Sequence, residues 1–96
     1  MRTITSYDIG ILARLAEGLA EPAARAMVRG YAERAHVADR FRKRFGRLHP
    51  FWGNGSLASA VLAERDAGPE RFPSSPQHLA AMALVIDVLI DWRRRV

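Results

Sequence analysis

From Pro22 to Phe45 the chain carries one long helical pattern, and the remaining segments have to be packed around it. Ala24, Met27, Val28, Tyr31, Ala35, Ala38, Phe41 and Phe45 recur at helical intervals and cluster on one side at 100° per residue. Arg25, Arg29, His36, Arg40, Lys43 and Arg44 fall on the opposite side, and Arg47 continues that line. Pro22 suits the first turn of a helix, and Gly46 is placed to stop it in a left-handed conformation. Gly30, inside the pattern, costs about 1 kcal/mol relative to alanine and marks a close crossing or a bend.

The other segments are helical too. Thr5 and Asp8 have the spacing of a capping box, and Ile4 and Ile9 that of a hydrophobic staple. Ile9, Leu12, Leu15, Ala16 and Leu19 follow as one apolar face. After Gly46, Pro50 and the run Gly53-Asn54-Gly55 break the helix. Asn54 or Ser56 then caps a short alanine-rich helix that Gly68-Pro69 ends. Phe72 is expected to anchor the following loop. Ser75 and Pro76 open the last helix. No alternating run of Val, Ile or Thr calls for a strand. The reading is therefore all-α, one domain of four helices over residues 6–20, 22–45, 56–66 and 76–94. Its basic second helix is expected to pack against the very apolar last one.

In that last helix Leu79, Met82, Ala83, Val85, Ile86, Val88, Leu89, Ile90 and Trp92 leave only a narrow polar sector, with Asp87 and Asp91 in it. Exposing such side chains forgoes roughly 1.5–3 kcal/mol each, so a homo-oligomer is expected. A chain of 96 residues makes one domain and buries roughly two-thirds of its unfolded surface. It has no cysteine, hence no disulfide and no thiolate metal site. Asp8, Arg14 and Glu17 interrupt any signal-peptide core, and the longest apolar run, Leu79 to Ile86, is too short to span a membrane. These features point to the cytoplasm.

The formal net charge is +5, carried by fourteen Arg and one Lys beside sixteen Ala. Such a bias also arises from coding composition, so the arrangement of the charge is the better signal. Arg25, Arg29, Arg40, Lys43, Arg44 and Arg47 are candidate phosphate contacts, giving salt-dependent, sequence-independent DNA binding. A solvated helix face has the same pattern. Phe51, Trp52 and Trp92 are candidate protein contacts, since aromatics are favoured at hot spots; Phe51 and Trp52 also suit a core lid or base stacking. His36, Asp39 and His49 do not have zinc-site spacing, so no metal or other cofactor is expected. No nucleophile and base can be assembled by spacing, and Asp87 and Asp91 read as a wet helix edge, so no enzyme is expected.

The stretches Ala38-Asp39-Arg40-Phe41-Arg42-Lys43-Arg44, His49-Pro50, Trp52-Gly53-Asn54-Gly55-Ser56-Leu57 and Trp92-Arg93-Arg94 resemble a family of short bacterial proteins. Members of that family sit in gene transfer agent clusters and are similar to phage small terminases. The resemblance implies a helical, ring-forming packaging adaptor that holds DNA weakly and presents it to a large terminase ATPase. Small terminases usually add a separate helix-turn-helix domain, for which this chain has no room, so sequence-specific reading is not expected. The competing expectation is a helical protein-interaction module with no nucleic-acid role.

Overall fold

The structure, a computed structural model, describes residues 1–68 and 75–95. Four helices follow one another: α1 (Ser6–Ala16), α2 (Glu21–Phe45), α3 (Leu57–Leu62) and α4 (Pro76–Arg95). Among the described residues there is no strand, only an isolated bridge between His49 and Gly53. No helix among them is long and apolar enough to cross a membrane.

Local signals set most of the boundaries. Thr5 caps α1: its Oγ1 accepts from the Asp8 N–H at 3.2 Å, and Asp8 Oδ2 accepts from the Thr5 N–H at 2.9 Å. Gly46 stops α2 at φ 69°, its N–H donating to the Arg42 carbonyl. Ser75 precedes α4, its carbonyl accepting from the Leu79 N–H at 2.9 Å. Phe72 and Pro69 lie outside the described residues.

Two helices are shorter than their sequence patterns. α1 ends at Ala16, and a turn closed by the Leu19 N–H on the Ala16 carbonyl leaves Leu19 exposed rather than on the apolar face. α3 stops at Leu62, after which Glu64 turns toward Tyr31 and Arg34. Of the two possible caps Ser56 serves α3, while Asn54 braces the turn before it.

α2 packs against α4 as the pattern predicts, and α1, like α2, touches all three other helices. That placement buries Ile11 and Ala13, both off the single face read from the sequence. Gly30 marks no crossing, since no atom lies within 4 Å of where its Cβ would be. On α4, Val85, Val88, Leu89 and Trp92 face the core, while Leu79, Ala83, Ile86 and Ile90 form a stripe open to solvent. Ile86 and Ile90 border an apolar groove of about 360 Å³ that also takes in Ile4, Ile9 and Leu89.

Candidate nucleic-acid interface

Near the end of α2, Asp39 packs closely against the following loop. This residue sits eight after Tyr31 and four after Ala35, on the buried stripe, and is 2% exposed. Its Oδ1 accepts from Arg42 at 2.9 Å, and its Oδ2 lies 3.1 Å from Lys43 Nζ and 3.2 Å from the Met1 amino nitrogen. Gly55, at φ 100°, lies directly against it: a Cβ there would come 2.6 Å from Asp39 Cβ. Asp8 does the same for α3, its Oδ1 accepting from the Ala58 N–H at 2.9 Å. Asp39 is thus occupied by cations and Asp8 by backbone N–H groups.

Burial pushes the Asp39 carboxyl up, but hydrogen bonds from Arg42, Lys43 and the Met1 amine outweigh it and hold the group well below the usual carboxylate range. A carboxylate depressed in the folded state adds stability that is complete above its ordinary value of 3.8 and is lost as pH falls below it. Asp39→Asn is expected to destabilise the protein by about 2 kcal/mol at neutral pH. The gap between parent and variant narrows below about pH 4, as urea unfolding at the two pH values measures.

The loop is rigid by its own chemistry. His49 Nδ1 accepts from the N–H groups of Phe51 and Trp52, at 3.1 and 3.2 Å. Trp52 stacks parallel on the His49 ring with centroids 4.8 Å apart. Asn54 Oδ1 accepts from the Ser56 N–H and from Ser59 Oγ, tying the turn to the start of α3. Of the aromatic pair read as a possible core lid, Trp52 is half-buried against His49. Phe51 is 72% exposed.

A ladder of rings runs from α2 into the loop. Phe45 meets Phe41 at 4.7 Å, Phe41 meets His49 edge-on at 5.0 Å, and His49 meets Phe51 at 6.0 Å. Cations are interleaved with it, Arg44 over Phe45 at 5.4 Å and Arg47 over Phe41 at 5.7 Å. Arg40 and Arg44 border a shallow groove of about 560 Å³ with Val37, Phe41 and Lys43. Among the described residues, no carboxylate lies within ion-pair distance of Arg29, Arg40, Arg44 or Arg47.

The structure separates the other sequence candidates from this patch. Arg25 is held by Asp87 at 2.8 Å and Glu21 at 3.1 Å, near the other end of α2. Arg29 is exposed but stands about 16 Å of helix away from Arg40. Burial holds His36 below its ordinary value, helped by the nearby Met1 amine and Arg40, so it adds no charge to the stripe at neutral pH. Trp92, read as a protein contact, is a core residue at 5% exposure. It shares the inward stripe of α4, where its Nε1 donates to Glu33 at 2.7 Å.

Sequence reasoning missed Phe45 and Leu48 as surface residues and Asp39 as the buried anchor. The position of Asp39 on the Tyr31–Ala35 stripe was the available signal. Phe45 carries no such mark, because its spacing matches the core face. Among the described residues no three His, Asp or Glu side chains converge as metal ligands. No curated protein and no solved structure matches the chain. Residues 2–89 match the model of a family described as Domain of unknown function (DUF7742), and the chain belongs to that family.

Proposed function

We propose that the protein is a non-enzymatic, oligomeric DNA-packaging adaptor of the cytoplasm that holds DNA through the C-terminal end of α2. The observation that carries the reading is the group Arg40, Arg44 and Arg47, cations without a carboxylate partner among the described residues, set among exposed rings on a loop-braced helix end. Such contacts grip phosphates without reading bases. The helix dipole makes a C-terminus poor for anions, so the side chains have to supply the attraction. The resemblance to small terminases makes a large terminase ATPase the protein partner.

Salt tests the phosphate contacts. With Arg40, Arg44 and Arg47 engaged, the log–log slope of duplex affinity against salt is expected to be about −3 per protomer. A flat response across about 50–200 mM salt overturns the reading.

The open stripe of α4 supports self-association, since Leu79, Ala83, Ile86 and Ile90 lie on one line outside the core. Light scattering is expected to give a multimer, and Ile86→Asp with Ile90→Asp a monomer of unchanged helicity. A monomeric parent protein at high concentration refutes the oligomer. The exposure of Phe51 and Leu48 favours a second reading, docking of a protein partner with an acidic surface. In that case charge reversal at Arg40, Lys43 and Arg44 abolishes partner binding while DNA affinity is absent throughout.

A further inference from the structure

We propose that the end of α2 and its loop take unpaired nucleic acid, a base stacking on Phe51 while Arg40, Arg44 and Arg47 follow the backbone. This inference rests on the phosphate-contact reading above and names the substrate class of that site.

A duplex offers phosphates on its outside and keeps the faces of its bases stacked within. Cations alone would serve it, and an exposed phenylalanine among them would gain nothing. A single strand offers both, and proteins that hold it combine a positive track with rings on which bases stack. The surface described here has that composition. Phe51 and Phe45 are its exposed rings, 72% and 54% accessible, and they lie at the two ends of one continuous ladder through Phe41 and His49. Arg44 and Arg47 sit on rings of that same ladder, so charge and π-face alternate along it.

Rigidity strengthens the case. The backbone N–H groups of Phe51 and Trp52 are both tied to His49 Nδ1, and His49 is clamped between Trp52 and Phe41. Phe51 is therefore presented on a loop already ordered, and stacking a base on it requires little further loss of backbone freedom. Trp52, the larger ring, is used inward as the support. An apolar pocket on a protein is the competing occupant for Phe51. Arg44 and Arg47, which lie over rings of the ladder and have no carboxylate partner among the described residues, favour an anionic chain instead.

The experiment is fluorescence anisotropy with an oligothymidine of about 20 nucleotides and a duplex of about 20 base pairs, against the parent protein and Phe51→Ala. Phe51 is on the surface, and circular dichroism confirms the fold of the variant. The single strand is expected to bind more tightly than the duplex at the same salt. Phe51→Ala is expected to weaken the single strand by about 5- to 100-fold and to leave duplex affinity and both salt slopes unchanged. Phe51→Trp retains single-strand binding. Equal affinities for the two DNAs, or no effect of Phe51→Ala on a strand that does bind, overturn the stacking inference and leave the phosphate contacts standing. Absence of binding to either DNA overturns the phosphate reading itself, and this inference with it.

Discussion

Gly55→Ala is expected to lower the melting temperature by about 12 °C or more, a loss of about 3 kcal/mol or more in a domain of this size. Two penalties coincide at this position. The backbone holds φ at 100°, where a side chain is strained, and the added methyl group would lie 2.6 Å from Asp39 Cβ and 2.8 Å from Asp39 Cα. Those are atoms of the α2 body, which cannot swing aside as the tip of a long side chain does. The loop must move instead, and it is held by the Arg2 N–H on the Gly55 carbonyl at 2.8 Å and by the Asn54 network. Gly30→Ala supplies the control. That site is a helix interior with open space around it, and there the same substitution stabilises by about 0.5–1 kcal/mol. Differential scanning calorimetry of the two variants should thus give shifts of opposite sign.

Reversing Arg40, Arg44 and Arg47 to glutamate is expected to weaken DNA binding by at least about a hundredfold at low salt, because non-specific affinity is almost wholly electrostatic. The fold should survive, as none of the three has a carboxylate partner among the described residues. Arg25→Glu makes the informative comparison. Its guanidinium is already bound by Asp87 and Glu21, so reversal there disturbs the contact between α2 and α4 and leaves DNA affinity near that of the parent. Anisotropy titrations, with circular dichroism to confirm helicity, decide both. Equal losses for the two variants would mean that charge over the whole of α2 matters, and not its C-terminal end.

The parts of this fold legible in the sequence are those governed by neighbours along the chain. The Thr5–Asp8 box, the Gly46 stop and the extent of α4 each follow from a few adjacent residues and appear where those residues put them. Choices made across the fold were less visible. The apolar breadth of α4 was plain, but not that Trp92 belongs to its inward stripe and Ile90 to its open one. A helical pattern shows how much surface is apolar, not which neighbour covers it. Phe45 illustrates the same limit, since it keeps the core spacing of α2 about two turns beyond Ala38, the last buried apolar residue of that helix. The candidate site was half visible: its cations formed a recognisable line, but the partners that remove Arg25 from it come from another turn and another helix.

Asp39 divides the basic residues around it into two kinds. Arg42 and the Met1 amine pair with a carboxylate that water scarcely reaches, and Lys43 reaches it from the surface, while Arg40, Arg44 and Arg47 have no carboxylate partner among the described residues. Dissolved ions screen exposed charges far more than buried pairs. A rise in ionic strength should therefore loosen the outer set and leave the inner clasp intact. If the proposed site holds a strand, a rise in salt would release it while the protein stays folded, able to take up another once the salt falls.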